Sequence, residues 1–155
     1  MGIAWPAFSQ TAFDEKLKHL YRYSVPVIKV EDLQRKLIEC EKIILLDIRT
    51  ADEFNVSHIP SALFVEYNSF SAKGLDTLDH EAQIVIYCSV GYRSERIGEK
   101  LIEAGFANVR NLYGGIFEWV NKGYPILNAA GAPTLRVHTY NRNWSQWLLK
   151  GVKVY

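Results

Sequence analysis

The chain has 155 residues, which at roughly 150 residues per domain predicts one compact domain with a short extension. Lys and Arg total 18 against 17 for Asp and Glu, a formal charge of +1 that supplies no broad field for gripping a nucleic-acid backbone or an anionic membrane. With 48% hydrophobic and 23% charged residues the composition is globular rather than disordered. The longest apolar runs, Ile43-Ile44-Leu45-Leu46 and Ile84-Val85-Ile86-Tyr87-Cys88, fall far short of the roughly 20 residues a membrane span needs.

Residues 1–10 are mildly apolar but lack the basic n-region and the apolar length of a secretory signal. The expected compartment is the cytoplasm, with Ala7-Phe8-Ser9-Gln10 as the remnant of a trimmed leader being the alternative. Phe13, Leu17, Leu20 and Tyr21 recur at helical spacing and predict an amphipathic helix over 11–23, lying on the domain rather than in it. Ser24-Val25-Pro26 breaks it, Val27-Ile28 predicts a short strand, and Leu33, Leu37 and Ile38 give a second helix over 31–39 with no capping side chain immediately before it. The unalternating run 43–46, ending at Asp47, reads as a strand covered by helices on both faces.

Next come a short helical stretch over 51–54, a corner at His58-Ile59-Pro60, an apolar piece over 62–65 and a loop over 69–80. Residues 84–88 are the most strand-like run in the chain. The small polar segment Ser89-Val90-Gly91-Tyr92-Arg93-Ser94 then leads into a helix with Ile97, Leu101 and Ile102 on one face, ended by Gly105. Residues 109–112 repeat the strand signal, Gly114-Gly115 turns the chain, 116–121 makes one or two helical turns, and Gly123-Tyr124-Pro125 closes the unit. Strands alternating with helices predict an α/β domain with a largely parallel sheet. Beyond it, Ala129-Ala130-Gly131-Ala132-Pro133 reads as a linker, and Trp144, Trp147 and Leu148 at helical spacing predict a C-terminal arm packed on the domain. A partner-binding surface is the other use of such aromatics.

Ligands of open parallel sheets gather beyond the carboxyl ends of the strands, and Cys88 stands at such an end. The loop from Ser89 to Arg93 offers backbone N–H donors, Gly91 permits positive φ, and the following helix adds the positive end of its dipole. Together they form an anion cradle that favours a thiolate. Arg93 adds a fixed cation for an oxyanion substrate. Cys40 lacks such surroundings and is expected to be an inert packing residue near a helix end. The two cysteines make no C-x-x-C pair and no zinc-like cluster with the four histidines.

Four segments in order carry a resemblance: Leu45-Leu46-Asp47-Ile48-Arg49; Glu53-Phe54 with Ser57-His58-Ile59-Pro60-Ser61-Ala62; Cys88 to Ser94; and Asn111-Leu112-Tyr113-Gly114-Gly115-Ile116-Phe117-Glu118-Trp119. Over about residues 27–127 the chain resembles a single-domain rhodanese. The resemblance implies a rhodanese-like α/β fold, a five-stranded, largely parallel sheet with helices on both faces. It divides the chain into an N-terminal helical extension (1–24), the domain (25–127) and a C-terminal aromatic arm (128–155).

It further implies that Cys88 is the nucleophile and carries a persulfide during sulfane-sulfur transfer, with the amides of Ser89, Val90, Gly91, Tyr92, Arg93 and Ser94 around the outer sulfur. Asp47 and Arg49 match a supporting pair near the loop, with an ordinary salt bridge or a solvated turn as the alternative, and His58 a structural corner. The implied partners are a small sulfur donor such as thiosulfate and a cyanide or thiol acceptor, a protein thiol included, with no metal or organic cofactor. Ser57 and Ser61 stand where the family usually has glycine, which narrows the backbone conformations open to that turn. Two alternatives remain. One is phosphatase chemistry, against which the loop length speaks: four residues, Ser89 to Tyr92, separate Cys88 from Arg93, where the related phosphatases have five. The other is a non-catalytic binding module.

Overall fold

A computed structural model describes residues 6–155 of the chain. Five short strands, β1 (Val27–Ile28), β2 (Ile43–Asp47), β3 (Leu63–Phe64), β4 (Gln83–Tyr87) and β5 (Asn108–Leu112), pair in parallel in the order β1-β5-β4-β2-β3. The two strands that read as unbroken apolar runs occupy interior positions, in a register that sets Ile44 beside Ile84 and Leu45 beside Val85. That is the expected place for strands without a solvent face.

Helices cover both faces. Leu45, Val85 and Tyr87 join Phe13 and Leu17 of α1 (Pro6–Leu20), Leu33 of α2 (Val30–Ile38) and Ile116, Phe117 and Trp119 of α5 (Gly115–Asn121) in one buried cluster. On the other face Leu46, Ile84, Ile86 and Cys88 pack with Ile97 and Leu101 of α4 (Tyr92–Glu103) and with Phe106. Between β2 and β3 lies α3 (Ala51–Val56), opened by a reciprocal cap in which Thr50 Oγ1 accepts from the Glu53 amide and the Glu53 carboxylate accepts from the Thr50 amide. The loop expected over 69–80 contains a single 3₁₀ turn, Ala72–Leu75. No helix among the described residues is long and apolar enough to cross a membrane.

The terminal segments differ from expectation. Helix α1 begins earlier than the periodicity predicts and ends at Leu20, because the buried Glu95 carboxylate takes the amides of Arg22 (2.9 Å) and Tyr23 (2.8 Å) and Tyr23 turns at φ 55°. Rather than resting on a finished domain, its apolar face forms part of the core, with Phe13 and Leu17 fully buried. Of the leader-like stretch, residues 1–5 lie outside the described residues, while Gln10 donates to both carboxylate oxygens of Glu118.

In the C-terminal arm the anticipated helix is a single turn, α6 (Arg142–Ser145), whose Trp144 amide donates to Asn141 Oδ1. Trp147 lies beyond it and stacks on Phe13 at 5.6 Å. Two small sheets that the sequence did not announce tie the arm down. They are β6 (Ile126–Leu127) with β7 (Pro133–Thr134), antiparallel, and β8 (Arg136–His138) with β9 (Val152–Val154), parallel.

Candidate active site

Cys88 directly follows β4, and the chain then loops tightly into α4 with Gly91 at φ 102°. The four carbonyls of residues 88–91 are each held by a group beyond the loop. Cys88 O accepts from the Ile116 amide (3.0 Å) and Ser89 O from the Phe117 amide (3.1 Å), both at the start of α5. Val90 O accepts from the Tyr21 hydroxyl, and Gly91 O accepts from Asn111 Nδ2 (3.0 Å) and the Glu95 amide (3.2 Å). In a trans peptide the N–H of the next residue points opposite to the carbonyl, so fixing the carbonyls outward turns the following amides inward. The Gly91 amide accordingly donates to Cys88 Sγ at 3.1 Å. Among the described residues, the amides of Ser89, Val90, Tyr92 and Arg93 find no acceptor. The Ser94 hydroxyl lies 3.5 Å from Sγ and donates to Asn111 Oδ1 at 2.6 Å.

Two glycines make this arrangement possible. A Cβ on Gly115 would sit 2.4 Å from Cys88 O and 2.6 Å from Ser89 O, so any side chain there would push the loop off the α5 amides. A Cβ on Gly91 would sit 1.9 Å from the Tyr21 hydroxyl. Tyr21 therefore occupies the space that the missing side chain leaves, and it also accepts from the Gly114 amide at 3.0 Å. Burial pushes its phenol well above the ordinary range, which keeps it a neutral donor to Val90.

Cys88 is 1% exposed, yet it borders a cavity of about 550 Å³ together with Ser89, Val90, Tyr92 and Arg93 of the same loop. Arg93, expected as a fixed cation for an oxyanion substrate, borders the cavity with its guanidinium paired. Its two terminal nitrogens bond both oxygens of Glu53 at 2.9 and 2.7 Å, and one also donates to Ser89 Oγ. Burial pushes the Glu53 carboxyl up, but hydrogen bonds and charge from Arg93, aided by the Thr50 amide, outweigh it and hold the group down to about 2. The Ser89 hydroxyl completes the link by donating to Glu53 at 3.1 Å.

The other suggested pair, Asp47 and Arg49, is sealed in the interior, both side chains at 0% exposure. Arg49 Nε and a terminal nitrogen bond the Asp47 carboxylate at 2.9 and 2.6 Å, and the same terminal nitrogen donates to the Ser57 carbonyl at 2.6 Å. Neither residue borders the cavity.

His58 stacks on Phe54 at 4.0 Å and its Nδ1 lies 3.1 Å from the Phe54 carbonyl, while its backbone bridges to Leu127. Ser57 is extended at φ −168°, which any residue adopts, whereas Ser61 takes φ 67°, the region where glycine is at ease. The turn is thus retained with a serine under strain. Cys40 is exposed, at φ 55° in the turn after α2, and packs into no core, because α2 stops at Ile38 before the helical spacing could turn it inward.

The sequence reading missed three residues that organise the loop: Glu53, Tyr21 and Asn111. Glu53 had a legible local signal, the Thr50-Ala51-Asp52-Glu53 cap pattern. Nothing local marks its bond to Arg93, 40 residues away. Tyr21 and Asn111 lie on other elements that only the fold brings to the loop.

Comparison with known proteins adds an independent line of evidence. The family model of the Rhodanese-like domain matches residues 29–122. The chain is similar to a sulfurtransferase of Allochromatium vinosum, 34% identical over 104 residues that cover 67% of this chain and 96% of that protein. It is also similar to the thiosulfate sulfurtransferase GlpE of Actinobacillus succinogenes, 32% identical over 95 residues, 61% of this chain and 85% of that one. Among solved structures, the BH2092 protein from Bacillus halodurans superposes with a TM-score of 0.63 at 25% identity, over 79% of this chain and 88% of that chain.

Proposed function

The chain belongs to the rhodanese-like domain family, and on that premise we propose that it is a sulfurtransferase working through a persulfide on Cys88, with thiosulfate or a similar compound as donor and cyanide or a thiol as acceptor. The observation that carries this reading is the outward capture of four successive loop carbonyls, which turns the amides that follow them the other way, the Gly91 amide donating to Cys88 Sγ. Such fixed donors stabilise negative charge without rearranging, and losing one in comparable oxyanion sites costs about 2.7–4 kcal/mol of barrier.

The reaction is a double displacement. The Cys88 thiolate attacks the outer sulfur of thiosulfate; the S–S bond breaks, sulfite leaves with the electron pair, and Cys88 becomes a persulfide anion among the loop amides. An acceptor nucleophile then attacks the outer sulfur and the thiolate returns, with cyanide leaving as thiocyanate or a thiolate as its own persulfide. Arg93, paired with Glu53 and bonded to Ser89 Oγ, acts on this picture as a brace for the loop.

Intact-mass measurement tests the reading. Wild type incubated with donor gains one sulfur atom, Cys88→Ser gains none, and cyanide then releases thiocyanate. Turnover of an aryl phosphate in place of sulfur loading would assign the loop to phosphate chemistry, and silence in every assay would leave a binding module.

A further inference from the structure

The cavity over Cys88, about 550 Å³, has the dimensions of a site for a small organic ligand, and the rhodanese-like domain does not build it alone. Leu20 comes from the end of α1, and Tyr140 and Trp144 from the C-terminal arm, all outside residues 29–122. Tyr67, Val90 and Tyr92 complete an aliphatic and aromatic wall. Among the described residues the cavity's one cationic lining residue is Arg93. Its fork is closed on Glu53, and its guanidinium lies over the Tyr140 ring at 5.3 Å.

A compact dianion entering this space would leave water for apolar walls, neutral loop amides that also have the Cys88 sulfur to hold, and a cation that already has its counter-charge. Desolvation without a new ion partner is unfavourable. A molecule with an apolar body gains from the same walls.

We propose that the preferred sulfur donor of this site is an organic sulfane-sulfur compound with an aromatic or branched aliphatic body and at most one negative charge, seated in the cavity that the two terminal segments wall in. The proposal rests on the sulfurtransferase reading above. With a donor R–S–SH, the Cys88 thiolate attacks the outer sulfur, the S–S bond breaks, and R–S⁻ departs with the electron pair. Cys88 is left as Cys–S–SH. One negative charge enters and one leaves, so no external oxidant or reductant takes part.

Three donors separate the contributions: benzenethiosulfonate, singly charged with an aromatic body; methanethiosulfonate, singly charged without one; and thiosulfate, doubly charged. Loading of the full chain is followed by mass and by release of sulfinate or sulfite, each rate normalised to the uncatalysed reaction with a free thiol. The expected order of kcat/KM is benzenethiosulfonate, then methanethiosulfonate, then thiosulfate, with at least tenfold between the first two. Tyr140→Gly removes one wall at a position whose φ of 65° suits glycine, and Trp144→Leu trims another. Each lowers the benzene-to-methane ratio severalfold, mainly through KM. Thiosulfate matching benzenethiosulfonate, or a ratio that neither variant moves, overturns the proposal while leaving sulfur transfer intact. No loading by any of the three overturns both.

Discussion

Two arginine–carboxylate pairs stand near one another in opposite circumstances, one joined through Nε and a terminal nitrogen, the other through both terminal nitrogens. Arg49 and Asp47 are wholly enclosed, and their remaining strong contact is the Ser57 carbonyl. Arg93 and Glu53 meet at the cavity beside Cys88, with Arg93 15% exposed and the Ser89 hydroxyl bonded to both. The inner pair holds a corner of the chain in place. The outer pair braces the loop after Cys88 and places its charges at the cavity's edge. Which role a pair plays is decided by what surrounds it, since the bond lengths are nearly alike.

The sharpest way to break this comparison is to remove one charge from each pair. Asp47→Ala leaves the Arg49 cation buried without its partner, and breaking such a pair costs about 3–5 kcal/mol; urea denaturation should show this, while the folded fraction still takes up one sulfur per Cys88. A loss below about 1 kcal/mol, the level of an exposed pair, would show that the corner relaxes to admit water. Glu53→Gln should cost less, about 1–3 kcal/mol, because Arg93 can turn toward solvent. It should also raise the kcat/KM of thiosulfate relative to benzenethiosulfonate, since the freed guanidinium then faces the cavity. A ratio that stays put would mean that Arg93 keeps its direction without Glu53.

Acid sharpens the contrast further. The Glu53 carboxyl sits at about 2 in the folded protein, below its ordinary value of 4.5, so the unfolded chain binds the proton first. The stabilisation from this carboxylate is therefore complete above pH 4.5 and lost as pH falls toward about 2. The stability gap between wild type and Glu53→Gln should be flat at higher pH and close within that window. A gap that persisted unchanged to its lower end would assign the cost to packing. The smallest effect is expected at the corner that Arg49 anchors through Ser57: Ser61→Gly relieves a left-handed serine at the expense of a freer unfolded chain, for a net gain of about 0.5 kcal/mol. Denaturation midpoints measure it, and a loss instead would show that the Ser61 side chain supports the turn.

How much of this was legible depended on range along the chain. The strands at 43–47 and 83–87 could be read because burial on both faces leaves an unbroken apolar run, and Cys88, Gly91 and the helix after them declare a loop in seven consecutive residues. The end of α1 was misread because Glu95, more than seventy residues away, decides it. The Asp47–Arg49 pair was visible as a local motif, but not its enclosure, which depends on Tyr87 and the Ser57 corner. The pairing of Arg93 was hidden for the same reason, its partner Glu53 lying on α3. Trp144 read as an arm aromatic, and no periodicity could indicate that it and Tyr140 border the cavity.

Tyr21 has a bearing on how this protein can be cut. It stands ahead of the stretch that matches the family, yet its hydroxyl is the post to which Val90 and Gly114 are both tethered. A fragment starting at residue 25 would retain all five strands of the main sheet but lose this post, together with the buried Phe13 and Leu17 that α1 adds to the core. The stretch that matches the family is thus shorter than the unit that holds the loop in shape.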